Sequence, residues 1–212
     1  MNVSQMRSEY GIGALRREEL SKDPFEQFGR WIEEACRSEI VEPNAVSLAT
    51  VAADGRPTLR TVLLKSFDAR GFVFFTNLES RKARQISENP NVSMLFPWLA
   101  LQRQVSVNGT AERISTTEAI AYFATRPFAS QLAAWASPQS KVVSARSLLE
   151  MKWEEVKRKF TEGKVPMPSF WGGFRVKPRD IEFWQGREHR LHDRFLYSRQ
   201  EDDTWAIERL AP

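Results

Sequence analysis

The sequence predicts a mainly β protein, an antiparallel barrel with peripheral helices, and three observations predict it. From Ala45 to Trp98, short runs of β-type residues are separated by turn signals. The same composition returns from Gln102 to Ile114 and again through the tail, and no β-α-β alternation recurs that would signal a doubly wound sheet. Six to eight strands are expected, roughly, with helices in the connections, and the pattern alone fits a closed or a split barrel.

Residues 1–22 are polar and carry Gly11, Gly13 and alternating charges, so they read as a mobile arm that orders against a partner or ligand, with one domain over 23–212. Asp23-Pro24 supplies a capping side chain and a proline at the first helical position. Phe25, Phe28, Ile32, Ala35 and Cys36 follow at helical spacing, which predicts a helix with one buried face. Strands are expected at Ala45 to Ala53, Thr58 to Phe67 and Phe72 to Thr76, with Asp54-Gly55 and Gly71 as turns. Ser80 to Ser87 is a short capped helix stopped by Asn89-Pro90, after which Val92 to Trp98 and Gln102 to Ile114 resume the sheet. Ser115 and Glu118 have capping-box spacing before a helix ending at Arg126-Pro127, and a charged helix is expected from about Ser144 to Gly163. The closing strands are Phe170 to Val176, Ile181 to Trp184, Phe195 to Ser198 and Trp205 to Leu210, with Pro178 and Gly186 as breaks.

Composition narrows the function classes. With 212 residues and 42% hydrophobic content the chain can build a real core. The net charge of +4 is spread in short clusters, Arg16-Arg17, Arg81-Lys82-Arg84 and Lys157-Arg158-Lys159. A few anionic groups would satisfy them, and no concentrated stripe argues for nucleic acid. A single cysteine, Cys36, rules out an intrachain disulfide and points to a reducing cytoplasm. The N-terminus lacks the order of a signal peptide, no stretch approaches a membrane span, and His189 with His192 makes no metal site.

Several residues could carry chemistry. Arg60 and Lys65 bracket an apolar strand and, five apart, point to opposite faces, where each meets a different anion or simply solvent. Phe75-Thr76 followed by Ser80-Arg81-Lys82 puts a strand end, a hydroxyl, helix-start amides and two cations together. That is a plausible phosphate cradle, because cations sit at the unfavourable end of a helix dipole unless an anion is near. Gln104 in a strand offers donor and acceptor to a heterocycle edge or to water. Tyr122, Arg126 and Ser130 are four apart and share one side if the helix runs through Pro127. Gln139-Ser140 is a polar loop pair after an exposed-looking Trp135 to Pro138 segment. The densest cluster is Glu182-Phe-Trp-Gln-Gly186 with Arg190-Leu-His-Asp-Arg194, a flat aromatic with two guanidiniums and an imidazole, although His192 could equally be structural.

Taken together these residues resemble the pyridoxamine 5'-phosphate oxidase family, over nearly the whole chain from about Arg7 to Arg209-Leu-Ala-Pro212. The most specific pieces are Arg60 to Lys65, Ser169-Phe-Trp-Gly-Gly-Phe174, and the Glu182 and Arg190 runs. The resemblance implies an FMN-binding split barrel, a homodimer with sites built from both subunits. It implies oxidation of pyridoxamine or pyridoxine 5'-phosphate to pyridoxal 5'-phosphate, with hydride passing from C4' to flavin N5 and O2 reduced to H2O2. On the same likeness Arg60, Lys82, Gln139 and Ser140 hold the FMN phosphate with Phe75, Thr76 and Arg81 close by, and Gln104, Trp184 and Arg194 surround the flavin ring, Arg194 stabilising its reduced form. Lys65, Tyr122, Arg126 and Ser130 match the substrate-phosphate ligands, Arg190 and His192 cover the pyridine ring as the catalytic pair, and Arg7 and Tyr10 close the arm over it. Phe75, Phe128-Ala129 and Ala133 depart from the family's usual residues. A flavin reductase or other oxidase of this fold, or a non-catalytic FMN or pyridoxal phosphate carrier, are the alternatives.

Overall fold

Eight strands form one antiparallel sheet in the computed structural model, which describes residues 1–6, 9–160 and 164–212. In chain order they are β1 (Ala45–Val51), β2 (Pro57–Asp68), β3 (Gly71–Asn77), β4 (Asn91–Trp98), β5 (Arg103–Arg113), β6 (Trp171–Gln185), β7 (Asp193–Arg199) and β8 (Trp205–Arg209). The spatial order is β3-β2-β1-β4-β5-β6-β7-β8, and β3 also pairs with β6, which closes the first six strands into a barrel and leaves β7 and β8 as an extension.

The barrel is filled by alternating strand residues and by helix α1 (Pro24–Arg37). Asp23 caps this helix, its Oδ1 accepting from the Phe25 amide at 2.8 Å, as the Asp-Pro pair predicts. Phe28 is the centre of the core: its ring lies 4.9 Å from Phe67 and Phe96 and 5.0 Å from Phe72. Such aromatic pairs contribute about 0.5–1.5 kcal/mol each beyond area burial. The expected buried face is correct except at its end. Cys36 is exposed, and Trp31, edge-on to Phe183 at 5.2 Å, is buried in its stead.

Helix α2 (Arg81–Glu88) is capped by Ser80 as expected. The connection between β5 and β6 differs from the expectation. Helix α3 (Thr116–Thr125) stops at Arg126, Pro127 starts a separate helix α4 (Phe128–Ala136), and α5 (Arg146–Lys159) is shorter than expected. Gly163, where that helix was expected to end, lies outside the described residues. Ser115 caps α3, but Glu118 turns away from the reciprocal contact and pairs with the buried Arg175 at 2.7 Å. Trp135 is a part-buried residue of α4, donating Nε1–H to the Pro166 carbonyl at 2.8 Å, and does not belong to an exposed loop. These helices form a second apolar cluster around Phe123, Leu132 and Trp171 beside the barrel.

Pro178 does not break the tail: β6 runs unbroken for 15 residues. The missing proline N–H is tolerated because the β5–β6 register shifts there, at Asn108/Gly109. A side chain on Gly109 would lie 2.0 Å from the Lys177 carbonyl oxygen, so the close approach needs glycine.

The N-terminal segment lies against the chain's own barrel. Gly11 and Ile12 donate their amides to Gln102 Oε1, Leu15 donates to Asp193 Oδ2 at 3.1 Å, and the Leu15 side chain joins the core with 5% exposure, eight residues before the expected start of the domain. The buried Tyr197 hydroxyl pins the end of this segment by donating to the Ser21 carbonyl at 2.7 Å. Burial pushes the Tyr197 phenol up to about 12.

Because the folded protein disfavours the phenolate, the stability from Tyr197 is fully present below the ordinary tyrosine value, about 10, and is lost as pH rises towards 12. Tyr197→Phe should therefore cost about 1 kcal/mol near neutrality and flatten the alkaline loss of stability, as read from urea melts across that range. Equal alkaline sensitivity in both proteins would remove Tyr197 as its source.

Candidate active site

The start of α2 meets β3 and the loop after α4, and there Arg60, Arg81 and Lys82 gather with no ion pair to a carboxylate among the described residues, the nearby Glu79 being taken by Lys141 at 3.0 Å. Lys82 Nζ donates to Thr76 Oγ1 and to Gln139 Oε1, both at 3.1 Å. Ser140, in the left-handed region at φ 67°, accepts the Arg81 backbone N–H on its hydroxyl at 3.2 Å. Arg60 donates Nη1–H to the Leu48 carbonyl at 2.9 Å and to Thr50 Oγ1 at 2.7 Å, and Nη2–H to Thr58 Oγ1. Of its five N–H groups this leaves the Nε–H and one Nη2–H, the edge that clasps an oxyanion bidentately. Burial pulls the Lys82 ammonium below its ordinary range, helped by Arg60, and burial with the neighbouring Arg81 lowers Arg60. A compact dianion is what this cluster lacks, and the donor set fits a phosphate.

A second set faces the same cavity. A space of about 720 Å³ is lined by Lys82, Thr76 and Gln139 together with Lys65, Tyr122, Arg126 and Ser130. The last three gather there although the helix breaks at Pro127: the turn between α3 and α4 brings them together, not one continuous helical face. Lys65 sits at the irregularity in β2–β3 pairing between Leu64 and Ser66. Thr61 and Leu63 line the cavity with it, whereas Arg60 turns to β1 and α2. Aromatic stacking fixes the floor: Phe75 lies 4.0 Å from Tyr122 and 5.1 Å from Trp171, nearly parallel to both. Phe75 is half-buried, stacked on one side and open to the cavity that it lines. Arg126 lies over the Trp171 ring at 5.0 Å, and its Nη1 is buried with no hydrogen-bond partner among the described residues. Burial lowers the Arg126 guanidinium and raises the Tyr122 phenol, which keeps Tyr122 a donor.

The Arg190 cluster lies elsewhere on the same chain, on a cavity of about 660 Å³ lined by Tyr10, Arg187, His189, Arg190 and His192. His189 and Arg190 both have positive φ, 56° and 60°, an uncommon state for such residues. His192 Nδ1 accepts the Arg187 backbone N–H at 3.1 Å, so a neutral ring carries its proton on Nε2. The imidazole lies 4.6 Å from the Trp184 ring, and Tyr10 stands edge-on to both. Gly186 makes room for it, since a Cβ there would meet Tyr10 Cγ at 2.9 Å. Arg7 lies outside the described residues.

Gln104, Trp184 and Arg194 occupy one row across β5, β6 and β7, Trp184 being the register partner of both others. Arg194 is clamped by Glu182, through Nε at 2.7 Å and Nη2 at 3.0 Å, and donates Nη1–H to the Ala211 carbonyl. The Glu182 carboxylate raises Arg194 above its ordinary value. Two N–H groups at the far end of the guanidinium remain. Sequence reasoning left three participants without a role: Thr50 and Thr58, which hold Arg60, and Trp171, which carries Arg126. Their only sequence signal was a pair of hydroxyls facing each other across a predicted hairpin and a tryptophan between a strand start and two glycines.

A family model for pyridoxamine 5'-phosphate oxidase matches residues 32–160, more than half of the chain, and one for the pyridoxine 5'-phosphate oxidase C-terminal dimerisation region matches residues 171–212. The chain belongs to the pyridoxamine 5'-phosphate oxidase family. Its relatives in that family include the pyridoxine/pyridoxamine 5'-phosphate oxidase of Rippkaea orientalis, 58% identical over the whole of both chains. The protein of the same name from Escherichia coli O9:H4 is 56% identical over 99% of this chain and 96% of that one. A solved structure of PhzG from Burkholderia lata 383 in complex with tetrahydrophenazine-1-carboxylic acid superposes with a TM-score of 0.88 at 29% identity, over 94% of this chain and 98% of that one. The family's first segment carries both cationic sets, and its dimerisation segment carries Trp184, Arg190, His192 and Arg194. No helix among the described residues is long and apolar enough to cross a membrane.

A buried guanidinium nitrogen without a partner costs stability that a bound anion would return. Arg126→Met should leave the ligand-free protein as stable as the parent, or more stable by about 1 kcal/mol, while weakening retention of inorganic phosphate, measured by denaturant melts with and without phosphate. A large loss of stability would show that stacking on Trp171 is the reason for Arg126.

Proposed function

We propose that the chain oxidises pyridoxamine and pyridoxine 5'-phosphates to pyridoxal 5'-phosphate with FMN and O2, as a homodimer. The observation that carries this reading is the single cavity lined by two phosphate-type donor sets, one at Lys82, Thr76 and Gln139 and one at Lys65, Tyr122, Arg126 and Ser130. Two phosphorylated flat molecules must lie ring to ring for this chemistry, and anchoring both phosphates converts orientation into rate. The full-length relatives named for the same oxidation support it.

Arg60, Lys82, Gln139 and Ser140, with Phe75, Thr76 and Arg81 close by, hold the FMN phosphate, and Gln104, Trp184 and Arg194 border its ring. When bound, FMN supplies the hydride acceptor and the site of reoxidation by O2. Lys65, Tyr122, Arg126 and Ser130 hold the substrate phosphate. Arg190 and His192 cover the pyridine ring, His192 presenting its Nε2 proton because the Arg187 amide occupies Nδ1. The two cavities on one chain are separate, and the Arg190 cluster falls in the segment that matches a dimerisation region. This favours a site completed by the Arg190, His192 and arm of the second subunit. Arg7 and Tyr10 close over the substrate in this reading. The PhzG likeness, at 29% identity, leaves the same fold acting on a different ring as the competing outcome.

The deciding experiment is aerobic addition of pyridoxamine 5'-phosphate to purified protein, following the flavin spectrum, peroxide and pyridoxal 5'-phosphate together. Stoichiometric appearance of both products is expected, and bound flavin without turnover would overturn the oxidase assignment. Arg190→Ala should lower turnover by roughly a hundredfold or more with FMN retained, and mixing it with Arg60→Ala should restore part of the activity as subunits exchange. No recovery despite verified exchange would refute the shared site.

A further inference from the structure

Gln85 is the one buried polar side chain on α2 that faces the barrel, and it has no place in the site as described above. It lies at 4% exposure, four residues after Arg81 and three after Lys82, so the helix that presents those cations also carries it. Its Oε1 accepts two hydrogen bonds, from Thr50 Oγ1 and from Thr58 Oγ1, both at 2.6 Å. These are the two hydroxyls, paired across β1 and β2, that Arg60 grips with Nη1 and Nη2. Each hydroxyl has one proton to give. By taking both, Gln85 leaves the threonine lone pairs turned to the guanidinium, which fixes the plane of Arg60 and the direction of its free Nε–Nη2 edge.

A carboxylate would accept the same two protons at least as well, so hydrogen bonding alone does not explain an amide here. Charge does. A glutamate at this position would place an anion one hydroxyl away from Arg60 and supply the counter-charge that the cluster of Arg60, Arg81 and Lys82 otherwise lacks. We infer that Gln85 is a positioning residue for cofactor phosphate recognition, a neutral acceptor that orients Arg60 through Thr50 and Thr58 and keeps its positive charge available for the phosphate.

The inference rests on the FMN reading above, and its test is binding, without turnover. Apoprotein is titrated with FMN and with riboflavin, which lacks the phosphate, by quenching of flavin fluorescence, alongside a thermal melt. For Gln85→Glu the dissociation constant for FMN should rise roughly tenfold or more, with riboflavin affinity held within about twofold and the melting midpoint not lowered, since the acceptor is kept. Gln85→Met, which removes the acceptor without adding charge, should weaken FMN by a smaller factor, again without affecting riboflavin. If Gln85→Glu fails to fold, Gln85→Met decides on the same criterion. Equal losses for FMN and riboflavin, or an unchanged FMN preference in both variants, overturn the role of Gln85 alone. A parent protein that binds FMN no better than riboflavin overturns the cofactor reading, and this inference with it.

Discussion

The pairing of β3 with β6 is the constraint on which the rest of the structure depends. It joins strands about a hundred residues apart and sets Phe75 opposite Gly173 and Thr76 opposite Gly172. Closure covers the free edge of β3 with the first half of β6, but its effect on the candidate site is local. It brings the end of β3, from which α2 and its cations depart, against Trp171 and the α3–α4 cluster. A side chain on Gly173 would meet the Phe74 carbonyl oxygen at 2.8 Å and the Phe75 ring at 2.9 Å, so the strands could not approach this closely with anything larger. Phosphate-type donors from β2, β3, α2, α3 and α4 then share one cavity because the barrel is closed at that seam.

The second organising feature is unbalanced charge. Two other guanidiniums are neutralised by carboxylates: the buried Arg175 is held by both Asp68 and Glu118, and Arg194 by both oxygens of Glu182. At the start of α2 the chain does the opposite, holding Arg60 and Lys82 with three hydroxyls, one backbone carbonyl and one side-chain amide. Neutral acceptors orient a cation without spending its field. Arg126 carries the same logic further, because its orphan Nη1 is supported only by ring faces. An unpaired buried donor of this kind costs stability that a bound anion would return, the general route by which binding energy becomes tight positioning.

Much of this was legible in the sequence where physics is local. The caps at Asp23, Ser80 and Ser115, the turn at Asp54-Gly55 and the β-type run that becomes β1 report on neighbours within a few residues, and they were placed correctly. The misreadings have one cause. Pro178 breaks a strand by local rules, yet β6 continues through it because β5 shifts register at Gly109 to receive it. Tyr122, Arg126 and Ser130 were grouped on a helical face, and they do line one cavity, but through a turn at Pro127 that local periodicity could not shape. Cys36 is placed by the helical period and is nonetheless exposed, because the buried face ends at Ala35, the residue before it, and one step around the helix turns Cys36 away from the core.

By itself the sequence determined the fold class, the families of cation and aromatic available, and through its motifs the family to which the chain belongs. Those depend on residue types and short spacings, which a linear chain displays directly. Only the tertiary structure decided which donors remain free: that Arg60 keeps one edge after Thr50 and Thr58 take the other, that His192 has its Nδ1 occupied by the Arg187 amide, and that the cavity lined by Lys65, Lys82 and Arg126 and the cavity at Arg190 lie apart on one chain. Hydrogen-bond satisfaction is a sum over partners contributed by distant strands, so it exists only once the barrel has closed.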